Sequence, residues 1–346
     1  MKVIVDAMGG DNAPQAIVQG ALDSAKEFGV NIVLIGRGEE ILSAMRSCGY
    51  ETLPKGVEIC HADDVVDMHA EASEVVKQHR GSSMVQGLKM LAEDQGDAFI
   101  SAGSTGALLT GATLIVKRVK GIRRAAMGPC MPNKAGGKTM LLDCGANAEC
   151  TPEFLLQFGL VGSLYMKKNY GMENPRVGLL NIGSEDTKGT PLQKEAYALL
   201  TDAANKGLIN FIGNIEARDT LLGEVDVVVC DGFSGNVLLK SIEGTAYFMG
   251  SLMKHKIFKR NFFSKIGYLL CKSGMSELLK MMDYREIGGT QFLGIKKPVI
   301  KAHGSSDALA FRNAIRQAEE AAKADFSAEL EESLKALAAA KENADD

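Results

Sequence analysis

Val3-Ile4-Val5-Asp6-Ala7-Met8-Gly9-Gly10-Asp11-Asn12-Ala13-Pro14 (residues 3–14) is a β-branched run that stops at a carboxylate, turns through two glycines and reaches a proline. The apolar run predicts a short strand, the glycines a loop, and Asp11 or Asn12 a cap for a helix that Pro14 opens. That helix is expected to end near Phe28-Gly29. The same order recurs along the chain. Strands are predicted at Asn31–Gly36, Val57–His61, Ala98–Ser101, Thr139–Cys144, Arg176–Ile182, Asn210–Gly213, Val225–Cys230 and Val299–Ala302. Most enter a loop rich in Gly, Ser, Asn or Asp and then a helix. The Ala98–Ser101 strand feeds an apolar helix through Val119, and helices are expected after Asn214–Asp219, Asp231–Asn236 and His303–Asp307. Strand-loop-helix alternation predicts a largely parallel sheet covered by helices, with ligands at the edge where loops leave the strand carboxyl ends. No fixed-period repeat is present, which excludes a solenoid.

The organisation predicted is one α/β/α enzyme domain of two lobes over residues 1–325 and a helical, partly frayed, acidic tail over 326–346. Within the domain, residues about 237–283 break the alternation as a long, Met-rich pair of projecting helices. The 346 residues are 46% hydrophobic and 24% charged, ordinary globular values. A formal net charge of -4 gives no overall attraction to nucleic acid. Seven cysteines, an odd number without C-x-x-C and mostly inside apolar runs, suit reduced thiols in a cytosol. Neither an apolar signal core nor a run of about 18 apolar residues is present, so a cytoplasmic protein with at most peripheral membrane contact is expected.

Nucleotide motifs fail on inspection. Gly36-Arg37-Gly38 lacks the third glycine of the dinucleotide fingerprint, and Gly137-Lys138-Thr139 has Pro132 at the first glycine position of a phosphate loop and runs into a strand. His61, His69, His79 and His255 show no ligand spacing, so neither cofactor nor metal is expected. The loops Ser101-Ala102-Gly103-Ser104-Thr105-Gly106 and His303-Gly304-Ser305-Ser306-Asp307 carry small side chains at helix starts, where backbone N–H groups either bind an anion or are simply capped. Lys188, beside Glu185 and Asp186, either neutralises phosphate oxygens or forms a surface ion pair with those acids. Asn236 either polarises a carbonyl or caps the helix that starts there. Cys144 at a strand end, with His303, is the competing nucleophile reading, although thiols in apolar runs are usually inert packing.

Two basic patches stand out. Residues 117–124, with Lys117, Arg118, Lys120, Arg123 and Arg124, close a predicted helix and either complement its dipole or dock an acidic partner. In the 254–266 segment, Lys256, Phe258, Lys259, Arg260, Phe262 and Phe263 mix cations with bulky apolar groups. This suits a packed or dimer-forming helix pair, or contact with an anionic membrane surface.

With these motifs in order, the chain resembles the bacterial phosphate acyltransferases of phospholipid synthesis. The resemblance runs from Val5–Asp11 through Leu141–Asn147, Leu180–Gly183, Phe211–Asp219 and Val229–Phe233 to Val299–Asp307. It implies a three-layer α/β/α sandwich like that of phosphotransacetylases and isocitrate and isopropylmalate dehydrogenases, usually a homodimer. The implied reaction moves a fatty acyl group from acyl carrier protein to inorganic phosphate, feeding a membrane glycerol-3-phosphate acyltransferase. Carried onto this chain, Lys188 and Asn236 are catalytic. Together with the loops above, the phosphate- and substrate-binding set is Asp6, Gly9, Gly10, Asp11, Ser101, Gly103, Ser104, Thr105, Asn147, Asp186, His303, Gly304, Ser305 and Ser306. Ser104 stands where the family usually carries asparagine, and Cys144 where other members can carry an apolar residue, which speaks against a cysteine nucleophile.

Phosphate is already an anion at pH 7 and a thiol leaving group has a pKa near about 8.5, so direct attack needs positioning and an oxyanion donor, not a covalent nucleophile. The alternatives are a phosphotransacetylase using a coenzyme A thioester, an NAD-dependent β-decarboxylating dehydrogenase, and a non-catalytic membrane scaffold.

Overall fold

Strands with continuous apolar runs need cover on both faces, and here they have it. The computed structural model describes residues 1–342 apart from 69, 73, 259, 282 and 325. Its strands are β1 (Lys2–Asp6), β2 (Asn31–Gly36), β3 (Val57–His61), β4 (Ala98–Ser101), β5 (Ala126–Met127), β6 (Cys130–Pro132), β7 (Lys138–Leu142), β8 (Arg176–Asn181), β9 (Asn210–Glu216), β10 (Val227–Val229), β11 (Gly289–Leu293) and β12 (Val299–Ala302). They form one sheet in the order β3-β2-β1-β4-β12-β11-β5 and a second in the order β6-β7-β10-β8-β9. Pairing is parallel except at β12-β11, β11-β5 and β6-β7. The register sets Val3 beside Ile32 and Ala98, and Ile100 beside Ile300.

The helices are α1 (Gln15–Phe28), α2 (Gly38–Ser47), α3 (Val75–Gln78), α4 (Ser83–Ala92), α5 (Thr105–Gly111), α6 (Pro152–Tyr170), α7 (Pro191–Asn205), α8 (Gly232–Leu252), α9 (Phe262–Met281), α10 (Tyr284–Ile287), α11 (Ala308–Ala324) and α12 (Ser327–Glu342). On one face of the first sheet, Ile17, Val18, Phe311 and Ile315 of α1 and α11 are buried; on the other, Val85, Leu88 and Leu108 of α4 and α5 pack with Phe99. The second sheet lies between α6 and α7 (Leu155, Phe158, Leu200) and the root of α8 (Leu238, Leu239, Ile242). This is the three-layer α/β/α arrangement. The chain crosses between sheets at Gly128-Pro129, from β5 to β6.

Four local expectations are corrected. Neither Asp11 nor Asn12 caps α1; Asn12 Nδ2 instead donates to the carbonyls of Ser305 (3.1 Å) and Ser306 (3.2 Å), tying two strand-end loops together. The helix expected through Val119 ends at Val116 after a π turn, because Lys117 takes a positive φ of 75°. The basic run therefore follows the helix instead of closing it, and Val119 and Ile122 are buried in the core. Asn214–Glu216, expected as loop, continues β9, and only a single turn at Ala217–Asp219 follows where a helix was expected. A register shift between Val177 and Leu179 accommodates the longer strand. The tail is helical over Ser327–Glu342, with Leu330, Leu334 and Leu337 buried against the core that α6 lines. At about 1.5–3 kcal/mol for each buried leucine, that helix contributes to the fold.

Candidate functional site

Asp6 ends β1 with its carboxylate fully inside the protein. It accepts from Ser83 Oγ and Ser101 Oγ, both at 2.6 Å, and from the Met8 N–H at 3.2 Å. Ser101 Oγ in turn accepts from the Gly103 N–H at 3.0 Å. Burial pushes the Asp6 carboxyl above its ordinary range, against the pull of these donors. Gly9 closes over this node: a Cβ there would stand 2.6 Å from Asp6 Oδ2 and 2.8 Å from the Gly103 nitrogen. The Asp11 N–H donates to the Gly304 carbonyl at 2.8 Å, so the loops after β1, β4 and β12 form one connected unit.

The second sheet repeats the device. Asp143, directly after β7, is buried and accepts from the N–H groups of Met127 (2.9 Å), Ala146 (3.2 Å) and Asn147 (2.6 Å) and from Asn147 Nδ2 (3.0 Å). Burial raises this carboxyl too. Asn147 Nδ2 also donates to the Ala125 carbonyl, and the Asn147 carbonyl accepts from the Gly232 N–H. The start of α8 is thereby pressed onto the node, and Gly235 has no room for a side chain: a Cβ would stand 1.9 Å from the Asp143 carbonyl oxygen. Asp231 caps α8 by accepting from the Ser234 N–H at 2.8 Å, which leaves Asn236 free of a capping role.

Between the two nodes, where the sheets meet at β5 and β6, lies a cleft of about 510 Å³. Its polar end carries Asp11, Thr105, Asn236, Lys301, His303 and Ser305; its apolar walls include Met127, Met131, Leu221, Leu239 and Ile242. His303 Nδ1 lies 2.8 Å from Ser305 Oγ, and burial with the nearby Lys240 and Lys301 cations holds the imidazole below its usual value. Both effects favour the neutral ring over the charged one. Lys240 pairs with Glu243 at 2.7 Å on the α8 side. A second, mostly apolar groove of about 630 Å³ between α8 and α9 shares Leu221, Ile242 and Ala246 with the cleft.

Of the residues expected from sequence, Asp11, Thr105, Asn236, His303, Gly304 and Ser305 meet in this cleft. Asp6, Ser101, Gly103 and Asn147 lie behind it, their polar atoms committed to one another or to backbone, and so hold the loops in place instead of facing a ligand. Gly9 and Gly10 permit that packing, Gly10 with a φ of 105°. Ser104 occupies the cap position of α5 without a side-chain capping bond, and Ser306 Oγ is buried without a partner. Lys188 and Asp186 are exposed on the loop after β8 and do not line the cleft; Lys188 Nζ is 4.0 Å from Glu185. Cys144 is buried, and burial next to Asp143 raises its thiol far above the thiolate range, which removes the cysteine nucleophile.

Two residues escaped the reading of the sequence as site residues, Asp143 and Lys301. The signal for each was a charge interrupting a buried β run, Leu141-Leu142-Asp143 and Val299-Ile300-Lys301. In the 254–266 segment, Phe262 and Phe263 are 72% and 80% exposed and Lys256 and Arg260 are exposed, whereas Phe258 packs on Tyr268 with ring centroids 5.0 Å apart. Lys259 lies outside the described residues. Among the described residues no helix is long and apolar enough to cross a membrane.

The family described as fatty acid synthesis protein matches residues 1–329. A phosphate acyltransferase of Thermoanaerobacter pseudethanolicus is 44% identical over 338 residues, covering 97% of this chain and 98% of that protein. A phosphate acyltransferase of Acetivibrio thermocellus is 46% identical over 319 residues, 92% of each. Among solved structures, a phosphotransacetylase from Streptococcus pyogenes superposes with a TM-score of 0.62 at 17% identity, covering 94% of both chains. A 4-hydroxythreonine-4-phosphate dehydrogenase from Salmonella typhimurium superposes at 0.55, with 13% identity, over 92% of this chain and 98% of that one. These likenesses concern the fold.

Proposed function

The chain belongs to the fatty acid synthesis protein family of phosphate acyltransferases, and from that premise we propose that it transfers a fatty acyl group from acyl carrier protein to inorganic phosphate. The observation that carries this reading is the shape of the site. One cleft joins a polar end, with Asn236, His303, Ser305 and Thr105, to an apolar wall that continues through Leu221, Ile242 and Ala246 into the α8–α9 groove. A thioester carbonyl and phosphate suit the first part, a long acyl chain the second.

Phosphate, held by the 303–306 loop and the start of α5, attacks the thioester carbonyl directly. Asn236, free of capping duty, donates to the oxygen that becomes the oxyanion; a preorganised donor in a water-poor cleft is the most effective kind. The thiol leaves as thiolate or takes a proton from solvent, since its pKa near about 8.5 demands no strong acid. Lys188 stands on the loop after β8, next to β10, which feeds α8. Its exposed pair with Glu185 at 4.0 Å is weak enough to give up, leaving the cation for the negative charge of the reacting complex. Should Lys188→Ala form acyl-phosphate at the wild-type rate, this role is wrong.

The deciding experiment follows phosphate-dependent thiol release from acyl carrier protein and coenzyme A thioesters side by side. Preference for the carrier-protein donor supports the reading; equal or better use of the coenzyme A ester favours a phosphotransacetylase-type activity on the shared fold. The product is an amphiphile destined for a membrane glycerol-3-phosphate acyltransferase. The exposed Phe262 and Phe263 beside Lys256 and Arg260 suit reversible contact of a homodimer with anionic lipid. Co-sedimentation with phosphatidylglycerol vesicles that survives Phe262→Ser with Phe263→Ser contradicts this contact.

A further inference from the structure

Lys301 is a lysine in the interior of a sheet. It belongs to β12, whose four residues are all buried, and is itself 9% exposed, that remnant opening on the polar end of the cleft. Its Nζ donates to the carbonyls of Ala102, at 3.3 Å, and Ala302. Among the described residues no carboxylate comes within ion-pair distance of it. The two acids of the neighbouring β1 loop are otherwise placed: Asp6 is saturated by Ser83, Ser101 and Met8, and Asp11 stands on the cleft surface. A buried ammonium with only neutral carbonyl partners is costly, and such charges persist where a counter-ion arrives. The cleft at this point is faced by Thr105, His303 and Ser305, hydroxyl and imidazole groups that donate to or accept from a tetrahedral oxyanion, and by Asp11, whose charge favours the ammonium form without pairing with it.

We propose that Lys301 is the cation that holds inorganic phosphate in the cleft. The assignment deepens the acyl-transfer reading and rests on it for the identity of the anion. It also answers a difficulty of the sequence-based set, in which the one cation, Lys188, stands outside the cleft lining. Lys301 touches the nucleophile, while Asn236 across the cleft meets the carbonyl it attacks.

Burial pulls the Lys301 ammonium down to about 8. The titratable groups around it are Asp11 and Asp6 from the β1 loop, whose charges oppose that fall, and His303 just after its own strand, which Lys240 and Glu243 of α8 also face. A lysine holds its charge below its pKa, so phosphate affinity is full near pH 7 and is lost as pH rises through about 8. With that value the protonated fraction falls about tenfold between pH 7 and pH 9. Phosphate is a dianion throughout the upper part of this window and does not itself cause the loss.

The test measures inorganic phosphate binding to the full-length protein without any acyl donor, by phosphate-dependent rise of Tm and by calorimetry at pH 7 and 9, in wild type, Lys301→Met and Lys301→Arg. Expected are a tenfold or greater loss of phosphate affinity in Lys301→Met, retention in Lys301→Arg, and disappearance of the pH 7 to 9 decline in the arginine variant. In turnover, Lys301→Met raises the KM for phosphate far more than the KM for the acyl donor. An unchanged phosphate affinity in Lys301→Met overturns the proposal. If that variant does not fold, a flat wild-type affinity between pH 7 and 9 overturns it instead. Phosphate binding that depends on Lys301 in a protein without acyl transfer breaks the functional reading alone; acyl-phosphate formation with a wild-type phosphate KM in Lys301→Met breaks only this assignment.

Discussion

The Asp6 and Asp143 nodes solve one problem with different donors. Each is a buried carboxylate at the carboxyl end of a strand, raised by burial, with a glycine packed close: Gly9 of its own loop on the Asp6 carboxylate, and Gly235 of α8 on the Asp143 backbone carbonyl. Asp6 is held by two serine hydroxyls and one backbone N–H; Asp143 by three backbone N–H groups and the Asn147 amide. Hydroxyls rotate and can accept as well as donate, whereas an N–H only donates. The first sheet thus anchors its loops on an adaptable node, beside Lys301 and the proposed phosphate subsite. The second anchors α8 and Asn236, the proposed oxyanion donor, on a rigid one. A site built between two sheets gains from having one fixed wall.

The contrast breaks most visibly at the glycines. Gly235→Ala, whose Cβ meets the Asp143 carbonyl oxygen at 1.9 Å, is expected to cost about 3 kcal/mol in urea unfolding. Gly9→Ala meets a carboxylate oxygen at 2.6 Å and is expected to cost less; the reverse order would show that the Asp6 node is the stiffer of the two. Next in size, Asp143→Asn must set an NH₂ against N–H donors and is expected to lose about 2 kcal/mol, while Asp6→Asn, with Ser101 turning to accept, loses no more than about 1 kcal/mol. Equal losses in the same unfolding experiment would mean that the hydroxyls cannot reverse. The smallest effect is expected at Ser104→Asn: Ser104 makes no capping bond and the two residues are equivalent caps, so stability should move by less than about 0.5 kcal/mol. A larger shift would place Ser104 inside the Asp6 node.

Much of the fold was legible because it is local. Val3–Asp6, Asn31–Gly36, Val57–His61 and Ala98–Ser101 read as strands and are strands, since β-branched runs bounded by glycine have few alternatives. Asn12 misled because an N-cap and a tie to a distant loop need the same side-chain groups, and only the position of Ser305 decides between them. The end of β9 misled because pairing with β8 overrode the turn-like Asn214–Asp219. The cleft was half legible: Thr105, Asn236 and His303 were named from loop chemistry, yet the roles of Asp6 and Asn147 behind the cleft were not. Cys144 carried no sign of its inertness beyond its apolar neighbours, and burial settled it.

By itself, then, the sequence determined the alternation of strand, loop and helix and the strand edge at which polar loops gather. These follow from hydrophobic period and turn chemistry. Only the tertiary structure decided that Asp6 and Asp143 face inward, that Lys188 stands outside the cleft lining and Lys301 within it. The reason is that a side chain's charge state and reach depend on what buries it, and the burying groups here come from β1, β4, β12 and α8, segments far apart along the chain.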